Sequence, residues 1–190
     1  MEYIVIIIGA VLVNNIVLAQ FLGLCPLFGV SSKISTAAGM GGAVLFVMTV
    51  ASIVTYLLST FLLEPFNIMY LQTITYILVI SSLVQMVEIV LKKVSPPLYQ
   101  ALGIFLPLMT TNCAILGVAI LVFQQDLTLL QGVVFAISHS IGFTLAIVLL
   151  AGIREHMDLV NIPKGMKGNP IIMVTAGLLA LAFMGFAGIV

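Results

Sequence analysis

Six stretches of this chain are apolar for long enough to cross a lipid bilayer, and little lies between them. A spanning helix needs about 20 mostly apolar residues, because each residue adds about 1.5 Å against a hydrocarbon core about 30 Å thick. The stretches run approximately from Tyr3 to Leu24, Ala37 to Leu63, Tyr70 to Leu91, Ala101 to Phe123, Leu129 to Ile153 and Ile171 to Val190. The connections carry the breakers: Ser31-Ser32-Lys33, Glu64-Pro65-Phe66-Asn67, Lys92-Lys93 with Pro96-Pro97, Gln124-Gln125-Asp126, and a longer polar stretch from Arg154 to Asn169. Of the 190 residues, 63% are apolar and 6% charged, where a soluble domain carries about 25% charged residues. The composition therefore excludes a water-soluble globule and points to lipid as the solvent. Net charge is zero and there is no basic tract, so a nucleic-acid partner has no electrostatic footprint. The expected fold is all-α: one polytopic membrane domain over residues 1–190 with six transmembrane helices.

The first stretch holds Glu2 where a signal peptide would be basic, so it is read as a retained span. Lys33 follows the first stretch, Lys92 and Lys93 the third, and Arg154, Lys164 and Lys167 the fifth. All the basic residues thus fall on one side, which the positive-inside rule makes cytoplasmic, with both termini on the outer face.

A shift of 98 positions superposes Asn14 on Asn112, Leu18 on Leu116 and Pro65 on Pro163, and lays the first three stretches over the last three. Three spans per half, about 1–95 and 96–190, would make the second half enter from the opposite side, so a 3+3 inverted-topology repeat is expected, with six unrelated helices as the alternative. In such folds the working site lies near the midplane on interrupted helices. The interrupted ones here open each half: Asn14-Asn15 and Gly23-Leu24-Cys25-Pro26 break the first, and Pro107 with Thr110-Thr111-Asn112-Cys113 breaks the second.

Each broken helix thus carries one of the two cysteines, Cys25 and Cys113. Chemistry alone leaves three readings: small buried hydrophobes, one disulfide, or metal ligands. Iron-sulfur clusters generally take four thiolates, so two per chain would mean a cluster shared with a second subunit. Straight helices would separate the pair, with Cys113 about 18 Å deep and Cys25 near the far edge of its span. A bent or re-entrant path through Asn14-Asn15 and Gly23 would remove that mismatch.

The segments Val13-Asn14-Asn15-Ile16-Val17-Leu18, Phe21-Leu22-Gly23-Leu24-Cys25-Pro26, Leu98 to Leu108 running into Thr110-Thr111-Asn112-Cys113-Ala114, and Ala151-Gly152-Ile153-Arg154-Glu155 closely resemble the Rnf/Nqr membrane-subunit family. The paired Asn and the short loop at Glu64 to Asn67 are more similar to its Rnf branch. The resemblance implies a core subunit of an ion-translocating ferredoxin:NAD oxidoreductase complex in a bacterial or archaeal-type inner membrane, part of a translocase and not catalytic alone. It implies a [2Fe-2S] cluster shared with a homologous, inverted sister subunit, with Cys25 and Cys113 as this chain's ligands. It also implies further flavin-bearing, iron-sulfur and NAD-binding subunits; this chain has no flavin or NAD motif. Transport of Na+ or H+ would be coupled to electron flow. A small secondary transporter or channel without a redox centre is the rival reading, and a structural scaffold with inert cysteines is the third.

Asn14, Asn15, Thr110, Thr111 and Asn112 flank the cysteines and have two uses, as donors to cluster sulfurs or as partners for freed backbone groups. His139, mid-way along the fifth stretch, is an intramembrane ionisable residue and hence a candidate; a neutral, hydrogen-bonded interhelical role is expected. Gly39-Met40-Gly41-Gly42 imitates a nucleotide loop but opens an apolar span, so close helix packing is expected there. Glu88 lies four residues before Lys92, an ordinary helical pair, and no other carboxylate lies inside a span.

Overall fold

The computed structural model describes residues 2–63, 69–94, 108, 111–157, 159–160, 165–166 and 168–186, and among these the regular structure is entirely helical. Helix α1 (Glu2–Ile8) continues into a π-helical turn (Gly9–Val13). Short α2 (Leu24–Val30) leads to α3 (Ile34–Leu58), which ends in a second π-helical turn (Ser59–Leu63). A 3-10 turn (Met69–Leu71) opens α4 (Gln72–Val94). Then come α5 (Cys113–Gln124), α6 (Leu129–Met157) and α7 (Asn169–Met184), the last with Pro170 in its first turn, where a missing amide costs nothing.

Among the described residues, three helical runs are long and apolar enough to cross a membrane: Ile34–Leu62, Gln72–Val90 and Leu129–Met157. The first stretch is not one continuous span, because its helix stops at Val13 and residues 14–23 form turns. The expected fourth span is described as a helix only from Cys113 onward, and the loop at Glu64 to Asn67, Pro96-Pro97 and Thr110 lie outside the described residues. The fifth span is longer than expected: α6 runs on to Met157, so Arg154 stands in its last turn and not in a loop. Lys92 and Lys93 likewise close α4. Cationic side chains at helix carboxyl ends are favoured by the helix dipole, which lets a polar residue prolong a span instead of ending it.

The core is built on α3 and α6, which pack chiefly against each other. Both are apolar on every side. Ala37, Met40, Val44, Val47, Met48 and Ala51 of α3 are buried, while Leu45, Phe46 and Leu57 on its other faces are exposed. That is the pattern of helices with one face in protein and another in lipid. Close approach is set by glycine, as the packing reading expected: a Cβ on Gly41 would collide with the Thr144 side chain of α6. Gly142 of α6 receives the Ala10 carbonyl and the Asn15 amide, each 3.2 Å from where a Cβ would stand. Without a hydrophobic force between helices in lipid, such small-residue contacts supply much of the association.

Candidate metal centre

The cysteine site is built from two interruptions of the helical backbone. In the first, the Asn14 amide donates to the Gly9 carbonyl at 2.6 Å and closes the π-turn. Asn15, wholly buried, then ends the helix. Its Oδ1 accepts from the Val17 amide at 3.1 Å, and its Nδ2 donates to the carbonyls of Val11 (3.1 Å) and of Gly142 on α6 (2.8 Å). In the second, Asn112 caps α5: its Oδ1 accepts from the Ala114 amide at 3.0 Å. Each asparagine therefore takes the amide two residues ahead, a local bond that competes with helix continuation. In this bond Asn112 resembles Asn15, the neighbour of the residue that the sequence shift superposes on it.

Between Asn15 and α2 the chain folds back on itself, with Ile16, Val17 and Leu18 buried. Phe21 has φ 54° and Gly23 φ 86°. A bulky residue in the left-handed region is strained by about 1–3 kcal/mol, which persists only where surroundings over-determine it. At Gly23 a side chain is also sterically barred: a Cβ would lie 2.8 Å from the buried ring of Phe143. With no side chain in the way, the Gly23 amide donates to Cys113 Sγ at 2.9 Å. Cys25 is two residues further on, within about 7 Å of chain. The re-entrant path thus brings the cysteine-bearing breaks together, and the depth mismatch of straight helices does not arise.

The two sulfurs differ in surroundings. Cys113 is half-buried at the first residue of α5. Cys25 is exposed on the chain's surface, in the first turn of α2. Arg154 holds α2 from its other end: its Nη1 donates to the Phe28 carbonyl at 3.2 Å and to Ser31 Oγ at 2.8 Å. Sequence reasoning named Gly23 only as a break in the helix, not as a donor to Cys113, and missed Arg154 as part of this site. The signals were an arginine at the end of an apolar run and a glycine two residues before a cysteine.

The remaining candidates are dispersed. Buried Asn112, beside Cys113, has no hydrogen-bond partner for its Nδ2 among the described residues. Thr111 is exposed next to it. Asn14 is exposed and lines a cleft of about 330 Å³ together with Gln20, Gln125 and buried His139. The His139 ring lies 4.1 Å from that of Phe135, and its Nδ1 pairs at 3.1 Å with the Phe135 carbonyl one turn back. That bond lies within α6, not between helices as expected; a neutral ring with its proton on Nδ1 satisfies it.

Among the described residues no three His, Cys, Asp or Glu side chains converge on one point. The donor set fits one half of a thiolate-ligated iron-sulfur site: two sulfurs, one exposed at the surface where a second subunit could complete the set, a backbone amide on the other sulfur, and an unpaired buried amide alongside.

The comparisons with known proteins agree over the whole chain. A family profile described as "Rnf-Nqr subunit, membrane protein" matches residues 3–190. The A subunit of the ion-translocating oxidoreductase complex of Syntrophotalea carbinolica is 61% identical over 97% of this chain and 96% of its own. The protein of the same name from Proteus mirabilis is 53% identical over 100% and 98%. The A subunit of the Na(+)-translocating ferredoxin:NAD(+) oxidoreductase complex of Acetobacterium woodii is 52% identical over 99% and 98%. With its long apolar helices and a match along nearly its full length, the chain belongs to the Rnf-Nqr family of membrane subunits.

Proposed function

We propose that this chain is the A-type core subunit of an ion-translocating ferredoxin:NAD oxidoreductase complex, not catalytic by itself, in which Cys25 and Cys113 supply half the ligands of a [2Fe-2S] cluster. A homologous, inversely inserted sister subunit supplies the other half, and flavin-bearing, iron-sulfur and NAD-binding subunits complete the complex. The names of the relatives support the assignment to such a complex. The observation that carries the cluster reading is the Gly23 amide on Cys113 Sγ, a contact across 90 residues that draws the two cysteine-bearing breaks together.

When bound, such a cluster supplies one-electron transfer. What the chain's own residues do follows from their placement. The Gly23 amide donates to the Cys113 sulfur at the first residue of α5 and so fixes where that sulfur stands. Asn112 Nδ2 stands as a further donor beside it, the role in which the flanking polar residues tune a metal site. Arg154 fixes α2 and hence the position of Cys25. Asn15 is used up by backbone groups, which makes it a scaffold of the site.

In this reading the chain has six spans as a 3+3 inverted repeat in the inner membrane, with both termini on the outer face. The matched bonds of Asn15 and Asn112 support the repeat, and the one-sided placement of Lys and Arg supports the orientation. The test is Cys113→Ser in the whole complex. Serine nearly matches cysteine in size but is a poor ligand for iron. Subunit levels should stay normal while the [2Fe-2S] signal, ferredoxin-driven NAD reduction and coupled ion uptake are lost. Full coupled activity with an intact cluster spectrum refutes the ligand assignment, whereas a wild-type complex without iron favours a transporter without a redox centre.

A further inference from the structure

At the end of the bundle where α3 and α5 finish, Thr55, Tyr56, Ser59, Thr60, Tyr76 and Asp126 line a cavity of about 200 Å³ together with apolar side chains from α5 and the turn after it. Its chemistry is one-sided. Thr55 Oγ1 donates to the Ala51 carbonyl at 2.7 Å, and Ser59 Oγ donates to the Tyr56 carbonyl at 2.8 Å. With their protons committed to the helix, both hydroxyls can offer only lone pairs to the cavity. Tyr76 is wholly buried and lines the same space, and its hydroxyl has no hydrogen-bond partner among the described residues. A buried polar group left unpaired costs about 1–3 kcal/mol, and the described residues supply no partner for this one.

The electrostatics point the same way. The carboxyl end of α5 is followed at once by the exposed Asp126, held at φ 48° with its amide on the Phe123 carbonyl. A carboxylate beside a helix carboxyl end is repelled by the dipole. The second π-turn, another carboxyl-terminal end, forms part of the wall through Ser59 and Thr60. The last turns of α3, of the π-turn and of α5 contain no basic residue that would neutralise this.

We propose that this cavity binds one monovalent cation of the Na+ type through Tyr76 Oη, the Thr55 and Ser59 hydroxyl oxygens, and Asp126 directly or through water. An anion would meet a carboxylate and helix carboxyl ends. A divalent ion generally takes more than one carboxylate, and the described lining supplies one. The volume is below the about 300 Å³ at which pockets for organic ligands begin, yet holds a cation with a few waters at about 30 Å³ each. In the orientation proposed above, the cavity opens at the outer face, so it serves as the release-side station of the ion path. That placement rests on the reading of the chain as a translocase subunit; the binding chemistry does not.

Infrared difference spectroscopy of the purified whole complex, with choline chloride exchanged for NaCl, reads the site directly. Wild type should show Na+-induced shifts of a carboxylate band and a tyrosine C–O band. Asp126→Asn should remove the first, Tyr76→Phe the second, and each should raise the half-saturating Na+ concentration about tenfold as one oxygen ligand is lost or weakened. Asp126 stands on an exposed turn, so Asp126→Asn carries the test by itself if Tyr76→Phe does not assemble. No Na+-induced bands in wild type, or bands and midpoint unchanged in Asp126→Asn, overturns the site. Iron content measured on the same samples separates the two readings: Na+ bands without iron leave this site standing and sink the electron-carrier proposal, whereas iron without Na+ bands does the reverse.

Discussion

Polar residues inside α6 and polar residues at the two breaks make opposite use of the same backbone. In α6, Ser138 donates to the Val134 carbonyl at 2.7 Å, Ser140 to Ile137 at 2.7 Å and Thr144 to Ser140 at 2.8 Å. Each hydroxyl reaches back three or four residues, and the helix continues for 29 residues. Asn15 and Asn112 instead accept from amides two residues ahead, and there the helix ends or begins. A hydroxyl that donates backward adds a bond to a carbonyl the ladder already uses, whereas a side-chain carbonyl that captures a forward amide takes the place of the ladder. Polarity within a span therefore does not mark a break; the direction of the side-chain bond does.

The largest expected effect tests the break. Asn15→Leu keeps the branched shape but removes three hydrogen bonds, each worth about 0.6 kcal/mol inside a membrane protein, for a loss of about 2 kcal/mol. Thermal unfolding of the purified complex should show that loss, accompanied by lower iron content because the turn that carries Gly23 is no longer anchored. Unchanged stability with full iron would mean that the buried turn residues hold the break without asparagine.

An intermediate effect tests the continuous pair. Gly41→Val forces a side chain into Thr144 and should cost about 1–2 kcal/mol by overpacking. Thr144→Ala in the same protein should recover most of it. Failure of that rescue would place the cost elsewhere than at the α3–α6 crossing.

The smallest effect is expected at Ser138→Ala. The lost bond runs to the residue's own helix, and alanine is the better helix former, so stability should stay within about 0.5 kcal/mol. A loss above about 1.5 kcal/mol would show that Ser138 bonds across helices after all, and the contrast between the two regions would lose its sharper half.

Several features are legible in the residues alone. Interruption of the first helix near Asn14-Asn15 follows from asparagine's competition with the backbone, and close packing at the Gly39 to Gly42 run holds at Gly41. Other features are not. The passage of α6 through Arg154 and the intrahelical bond of His139 each depend on which partner is within reach. Hydropathy windows record neither of these, because they weigh a residue by its type and not by what satisfies it.

By itself the sequence determined the solvent and the class of fold: with 6% charged residues and long apolar runs the chain belongs in lipid, where a backbone without water must satisfy itself and so forms helices. It also singled out the two cysteines and the polar residues flanking them. Only the tertiary structure decided that Gly23 meets Cys113 and that Arg154 holds the end of α2. Those contacts join residues 90 and more than 120 positions apart. They exist because glycine lets α6 approach α3 and the first π-turn closely enough to fix how the broken segments sit. Hydrogen bonds tolerate errors of only a few tenths of an ångström, so residue type and spacing along the chain could not have specified them.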